Sequence, residues 1–429
     1  MNNEDPALFE KYPNLKNKVP WISLLSQVPT KIERLTELEK YTEMGDGGVY
    51  LKRDDKDHHI YGGNKLRKFE FIFGKVLKKR KKAVVTNGGI GTNHGLACAI
   101  VCQELGLKCD LFLFQQPLTW HVQRSLLLFD YFGAKLHLGK GDIGTFVKFI
   151  FFKLFHPQYF LMFPGGSPLL GIGSSLGTIG FVNAAFELKK QIEEAKIPEP
   201  DALFVPGGSV GTAAGLIAGC KLLGLKTRVH VVAVYTDLTS NPSAVAKNAN
   251  KALKYLKKQD KSLPSIQVVE DDFEFITGYL GTGYGMKTTR GQEAVDKIYE
   301  LEGKSKDFKL ETTYTGKAMA ALFDCLKKPE YKGKNVLFWN TYNSNDLDKF
   351  LRETDFKYQN LPSKLHRFYE EKVFQCWQYG DCPDKIKVEC PAYLNHEYRF
   401  WKVTECKLDK EKQIKIKDKL ENIIKLEDA

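Results

Sequence analysis

The chain has 429 residues, 43% of them hydrophobic, which is enough apolar material for sizeable cores in two or three domains and excludes a disordered polymer. Its 64 lysines and arginines outnumber 52 acids and leave a net charge of +12. No RNA-recognition, zinc-finger or base-stacking motif accompanies that charge, so nucleic acid is not expected as a partner.

Nine cysteines, odd in number and without tight pairing, point to a reducing compartment and no structural disulfides. Met1 to Pro6 lacks the basic and then apolar order of a secretory signal, so a cytoplasmic location is expected. Tyr61-Gly62-Gly63-Asn64-Lys65-Leu66-Arg67-Lys68 opens an amphipathic helix marked by Phe69, Ile72, Phe73, Val76 and Leu77, and the basic run Lys78 to Lys82 reads as its solvated end. Ala83 to Thr86 reads as a strand ending in glycines, Leu96 to Leu105 as a helix, and Lys108 to Phe114 as the next strand. The most apolar window, Phe146 to Phe163, is interrupted by Lys148, Lys153, His156 and Pro157. These would be costly in a bilayer, so a buried helix and strand are expected there, and no membrane partner.

The same alternation returns with a strand at Ala202 to Pro206, a helix at Thr212 to Leu223 and a strand at His230 to Tyr235. A lysine-rich helix and loop follow at 249–262, and a late strand at Val336 to Trp339. Strand, loop and helix in repetition predict parallel sheets covered by helices on both faces, with ligands bound beyond the carboxyl ends of the strands.

Two segments carry the chemistry. Gly207, Gly208 and Gly211 allow close backbone approach to an anion, Ser209 and Thr212 add hydroxyls, and the following helix presents unpaired N–H groups with a positive dipole end. The loop is neither a Walker A motif nor a dinucleotide fingerprint, so a phosphate cup of another kind is expected. Lys65, behind two glycines that admit a flat ring, is the candidate amine for an aldehyde cofactor, because a desolvated lysine loses its proton more readily. An aldehyde with an anionic tail matches pyridoxal 5′-phosphate.

Further motifs stand in a fixed order. Lys52-Arg53-Asp54-Asp55 precedes the Gly62 to Lys68 segment, and Gly88 to His94 follows it. Then come Pro164-Gly165-Gly166-Ser167, Leu176-Gly177-Thr178-Ile179-Gly180-Phe181, Gly208 to Gly215, and Tyr314-Thr315-Gly316-Lys317-Ala318. In this order the chain resembles the D-cysteine desulfhydrase and 1-aminocyclopropane-1-carboxylate deaminase family over roughly residues 10–350. The resemblance implies fold-type II: two doubly wound, mostly parallel α/β domains with pyridoxal 5′-phosphate in the cleft between them. Residues 1–66 and 182–355 would form the large cofactor-binding domain, 67–181 the small domain and 356–429 a C-terminal extension.

Residue by residue, the resemblance implies that Lys65 forms the Schiff base, that Asn64 lies at the cofactor's edge and that Asn93 bonds the ring hydroxyl. Gly208, Ser209, Val210, Gly211 and Thr212 would hold the phosphate. Thr92, Asn93 and His94 would hold the substrate carboxylate, with Thr92 where the family usually has serine. Tyr284 and Tyr314 would flank the substrate and handle protons. Thr315 stands where the deaminase branch carries an acid, and a neutral hydroxyl there suits a milder electron sink and expulsion of a good leaving group. Thr341 is a second candidate for the ring nitrogen, unranked against Thr315.

The expected activity is α,β-elimination from a small amino acid, D-cysteine, to pyruvate, hydrogen sulfide and ammonia, in a homodimer. The deaminase reaction, or a lyase for another β-substituted amino acid, is the alternative. A catalytically silent scaffold or a basic nucleic-acid binder is the alternative of another class. Two departures from the family pattern bear on the substrate: Asn340-Thr341-Tyr342-Asn343 replaces the usual His-Thr-Gly-Gly, and Pro168 to Ser175 is a short insertion. In the extension Cys376, Cys382, Cys390 and Cys406 lack any Cys-x-x-Cys pair, so no metal is expected. Ile414 to Leu426 reads as a packing helix.

Overall fold

The computed structural model describes residues 5–370 except 117, 119, 140, 141, 167–173, 236–239, 282, 284, 304 and 355. Tyr284, most of the 168–175 insertion, the four cysteines of the extension and its 414–426 segment therefore lie outside the described residues. Ten strands form two sheets. They are β1 Ile32–Arg34, β2 Val49–Lys52, β3 Ala83–Gly89, β4 Lys108–Phe114, β5 Ala134–Leu138, β6 Tyr159–Leu161, β7 Ala202–Gly207, β8 Arg228–Ala233, β9 Phe273–Ile276 and β10 Val336–Trp339.

The larger sheet has the order β1-β2-β10-β7-β8-β9 and the smaller β5-β4-β3-β6. Every pairing is parallel except that of the edge strand β1 with β2. β3, β7 and β10 are buried along their whole length, as strands covered on both faces must be, which explains their continuous apolar runs.

The longer helices, with their short companions, are α1 Ala7–Lys11, α2 Thr36–Tyr41, α3 Asn64–Lys78, α4 Asn93–Glu104, α5 Trp120–Tyr131, α6 Asp142–Phe155 and α7 Leu176–Glu193. They continue with α8 Gly211–Leu223, α9 Pro242–Gln259, α10 Thr289–Glu302, α11 Thr315–Leu326, α12 Asp348–Glu353 and α13 Arg367–Glu370. α3, α7 and α8 pack closely because glycines remove Cβ atoms from the contacts. A Cβ on Gly180 would stand 2.1 Å from the Arg67 carbonyl oxygen. The parallel α/β plan expected from the alternating pattern is the plan observed. Strand β8 begins two residues before the expected His230, since its pairing with β7 starts at Arg228.

One expectation is corrected. The helix within Phe146 to Phe163 is not buried all round: α6 lays Phe149 on Val85 and Phe112, but Val147, Phe151, Leu154 and Phe155 face outward. The order β5-β4-β3-β6 explains this. The right-handed crossover from β5 back to β6 puts α6 on the sheet face opposite α4 and α5, where it is a single cover with one side left over. No helix among the described residues is long and apolar enough to cross a membrane.

α3, which carries Lys65, is tied down by charges along its inner side. Glu70 accepts from the backbone N–H groups of Leu24, at 3.1 Å, and Leu25. Burial pushes its carboxyl up to about 7 against those bonds and Arg67. An acid with a raised folded pKa stabilises below its ordinary pKa and loses that contribution as pH rises through the folded value. Glu70→Gln, which keeps the accepting oxygen, is therefore expected to add up to about 3 kcal/mol in urea unfolding near pH 8, shrinking toward nothing by about pH 4.5. An equal gain at both pH values would show that titration of Glu70 is not the cause.

Candidate active site

Four loops leave the carboxyl ends of parallel strands β2, β3, β7 and β10 and converge. The first holds Lys65. After β2 the chain turns back so tightly that a Cβ on Gly62 would stand 1.9 Å from the Asp55 carbonyl oxygen. Gly63 has φ +108°, a region open to glycine, and its N–H donates to the carbonyl of Asp54 at 2.6 Å and to Asp57 Oδ1 at 3.1 Å. His58 Nδ1 accepts from the N–H groups of Ile60 and Tyr61. Its proton is thereby directed to Nε2, 3.3 Å from Glu104 Oε2, which ties this turn to the end of α4. α3 then starts at Asn64, with Lys65 in its first turn.

Arg67 locks the first turn of α3 in place. Its guanidinium donates to both oxygens of Asp54 at 2.8 Å and to Glu187 Oε2 at 2.8 Å. Lys52 Nζ joins Glu187 Oε1 at 2.6 Å and Trp339 Nε1 donates to Asp54 Oδ2 at 2.6 Å, so β2, β10, α3 and α7 share one buried network. With its backbone held, Lys65 directs Nζ to Asn64 Oδ1 at 2.7 Å, and Asn64 Nδ2 donates to Thr212 Oγ1 at 3.0 Å. Burial lowers the Lys65 ammonium from 10.5 to about 8, with Glu311 opposing.

The loop after β7 reaches α8 through Val210, whose φ of 48° is rare for a β-branched residue. α8 begins directly after it, the Gly211 N–H bonding the Ser209 carbonyl at 2.7 Å, and Thr212 in its first turn accepts from the Asn64 side chain; helix geometry leaves the first amides without partners inside the helix. Gly208 is required by proximity, since a Cβ there would meet the Tyr314 ring at 3.1 Å. Ser209 lies instead toward Gly165, where a Cβ would stand 2.4 Å from its Oγ. Gly165 and Gly208 thus let the loop approach the turn before α7 and the Tyr314 ring closely.

The loop after β3 contributes Thr92, Asn93 and His94 at the start of α4. Thr92 is the N-cap, its hydroxyl accepting from the Gly95 N–H at 3.3 Å. Tyr61 Oη donates to the Asn93 carbonyl at 3.2 Å. His94 is buried with Nε2 3.0 Å from Thr86 Oγ1, while its Nδ1, like Oδ1 of Asn87 on β3, has no hydrogen-bond partner among the described residues. Burial and the charges of Lys65 and Lys68 hold the His94 imidazolium well below its ordinary range, so it is neutral. Buried polar atoms without partners mark places where a ligand completes the bonding.

The loop after β10 and the start of α11 close the site. Thr341 presents its carbonyl oxygen to the Asn64 N–H at 3.2 Å, and Asn343 Oδ1 accepts from the Gly62 N–H at 2.8 Å, so Asn340 to Asn343 braces the glycine turn. Thr315 is buried in the first turn of α11, its Oγ1 accepting from the Glu311 N–H at 2.8 Å. Glu311 in turn accepts from the N–H groups of Thr313, Tyr314 and Thr315 and caps α11.

Tyr61 and Lys68 stand in the glycine-lysine segment, and Tyr342 and Asn343 in the departure after β10, both singled out in the sequence, but no individual role was expected of any of the four. Glu311 was not read at all, although it had a local signal, an acid just ahead of a helix N-terminus. Lys68 Nζ donates to the Gly165 carbonyl at 3.0 Å, and the buried Tyr342 hydroxyl is pushed up by burial and by Glu311.

The residues present fit pyridoxal 5′-phosphate: a desolvated amine, a helix N-terminus whose Thr212 bonds Asn64, and buried polar atoms of His94 and Asn87 without partners among the described residues. The pyridoxal-phosphate dependent enzyme family model matches residues 24–341. The chain is 30% identical to a D-cysteine desulfhydrase of Salmonella schwarzengrund over 336 residues, 76% of this chain and 94% of that protein. It is 31% identical over 326 residues to a Thermotoga maritima protein with the provisional name 1-aminocyclopropane-1-carboxylate deaminase, covering 74% of this chain and 94% of that one. A crystal structure of a 1-aminocyclopropane-1-carboxylate deaminase homologue superposes with a TM-score of 0.63 at 24% identity, covering 82% of this chain and all of that one.

Proposed function

We propose that this chain, which belongs to the pyridoxal-phosphate dependent enzymes and within them to the D-cysteine desulfhydrase and 1-aminocyclopropane-1-carboxylate deaminase group, is a lyase that converts D-cysteine and water to pyruvate, hydrogen sulfide and ammonia. The observation that carries the choice of reaction is Thr315. Its hydroxyl accepts from the Glu311 N–H at 2.8 Å and donates to the Glu311 carbonyl and Oε1 at 3.3 and 3.4 Å, long bonds that a closer ring nitrogen would displace. A neutral donor of this kind leaves such a nitrogen unprotonated.

When bound, the cofactor withdraws electrons from the substrate Cα; the remaining work falls to this chain's side chains. Lys65 would hold the cofactor through its amine, and that amine, once freed, would accept the Cα proton, with Thr92 and Tyr314 as the other groups able to do so. Asn93, Thr92 and His94 bind the substrate carboxylate, with the neutral His94 in the tautomer whose Nε2 accepts from the Thr86 hydroxyl and whose otherwise unpaired Nδ1–H donates to the carboxylate. By resemblance, Tyr284 would flank the substrate and handle protons with Tyr314. Tyr342 adds bulk to the pocket, which favours a small side chain. Thr341, whose carbonyl bonds the Asn64 backbone, serves the ring edge rather than the nitrogen. The protein acts as a cytoplasmic homodimer.

Purified holoenzyme with D-cysteine is expected to release sulfide and pyruvate in equal amounts. 2-Oxobutyrate from 1-aminocyclopropane-1-carboxylate, without sulfide from D-cysteine, would transfer the assignment to the deaminase.

A further inference from the structure

α6 is the one place among the described residues where large apolar side chains stand together in solvent. Val147, Phe151, Leu154 and Phe155 are 45, 54, 68 and 79% exposed. Their spacing of four, three and one places them on one face of the helix, centred on Phe151 and directed away from the sheet. The opposite side is occupied, because Phe149 fills the gap between Val85 and Phe112. Scattered exposed apolar residues are ordinary, but a contiguous stripe of this kind needs an occupant.

Charge around the stripe indicates which. Lys148 is exposed on its flank. At its C-terminal end Lys81 Nζ and Lys153 Nζ both donate to the Pro157 carbonyl, at 2.6 and 2.9 Å, which brings two ammonium groups together. Burial, with the charges of Lys81 and Lys79, holds the Lys153 ammonium below its ordinary range, so these cations crowd one another. Lys78, Lys79, Arg80 and Lys82 extend the same cluster from the end of α3. Apolar rings bordered by lysines form the pattern of a helix that lies in a lipid interface, rings in the acyl boundary and ammonium groups among anionic headgroups.

We propose that the outer face of α6 docks this protein peripherally onto an anionic lipid surface, with Phe151 and Phe155 as the inserted rings and the Lys148 cation on the flank and the Lys79 and Lys81 cations at the C-terminal end as the headgroup contacts. Lysines that would be costly at a bilayer's centre suit its surface, so the reason for rejecting a membrane span does not apply here.

The full chain, loaded with its cofactor, is floated with vesicles of phosphatidylcholine alone and of phosphatidylcholine with roughly 30% phosphatidylserine. Flotation is expected with the second only, weakening as salt is raised. It should fall about tenfold or more in Phe151→Ser/Phe155→Ser and in Lys79→Glu/Lys148→Glu, with turnover unchanged in both. Absence of flotation of the parent overturns the proposal, as does equal flotation on both vesicles that the lysine variant leaves untouched. A dimer that Phe151→Ser/Phe155→Ser splits, without flotation of the parent, would assign the face to contact between copies and likewise overturn it. None of these readouts depends on which amino acid is the substrate.

Discussion

Lys65→Ala is expected to abolish covalent retention of the cofactor and to lower turnover on the order of 10³-fold or more, since one side chain supplies both the attachment point and the nearest base. Other desolvated amines could compete for this role; Lys52 is committed to Glu187 at 2.6 Å, which leaves Lys68 and Lys317. Lys317 has its ammonium lowered to about 8 by burial, and Lys68 is lowered further by burial and Lys65. Geometry separates them. Lys317 Nζ is held by the Leu280 carbonyl at 2.7 Å and Lys68 Nζ by the Gly165 carbonyl at 3.0 Å, whereas Lys65 alone is bonded to Asn64 and through it to Thr212.

Borohydride reduction followed by peptide mass analysis should find the cofactor on the peptide containing residue 65 in the parent and on no peptide in the variant. Its appearance on Lys68 or Lys317 in the parent would move the assignment. Capture needs a neutral amine, so the rate at which cofactor-free protein takes up pyridoxal 5′-phosphate should rise with pH through a midpoint near 8 rather than 10.5.

Glu187→Ala is expected to cost about 3–5 kcal/mol of stability, the largest effect of any single substitution outside the site. Glu187 is buried on α7 and accepts from Lys52, Arg67 and the Thr30 N–H at 2.6, 2.8 and 2.9 Å. Truncation leaves two buried cations sharing Asp54. Burial alone would push the Glu187 carboxyl up, yet Arg67 and Lys52 together hold it below the usual carboxylate range. A lowered acid stabilises above its ordinary pKa and loses that contribution as pH falls, so the difference between parent and variant should be full near neutrality and shrink below about pH 4.5. Urea unfolding at both pH values measures it. A loss under about 1 kcal/mol at neutral pH would show that the network is hydrated rather than sealed. Because the same network holds Arg67, two residues from Lys65, the variant should also bind cofactor more weakly.

Strands β4 and β10 were readable to the residue because their limits are local, a charged or polar residue at each end of an apolar run. Lys65 and the Gly207 to Thr212 loop were readable for a similar reason, since glycines that allow close approach leave a mark in the sequence whatever they approach. Thr315 and Thr341 could not be ranked, because the difference lies in hydrogen bonds. Thr315 meets Glu311 within its own turn, and the Thr341 carbonyl meets Asn64 from 277 positions away in the chain.

Asn343 and Tyr61 were missed on the same account: each acts on a residue brought near only when β10 pairs with β2, or when the turn before α3 meets α4. The apolar richness of α6 was plain in sequence, but which of its sides met protein was not. That followed from the strand order of the small sheet, in which a single helix covers one face.

The amino-acid order by itself determined the parallel α/β plan, the helix start that carries Lys65 and the glycine turn after β7, because periodicity, glycine and helix-start signals are short-range and each residue carries its own. Tertiary structure alone decided the protonation of Lys65 and His94, the capping role of Glu311, the Lys52–Arg67–Glu187 network and the open face of α6. All of these depend on desolvation and on charges from distant segments, quantities that exist only once the sheets have closed.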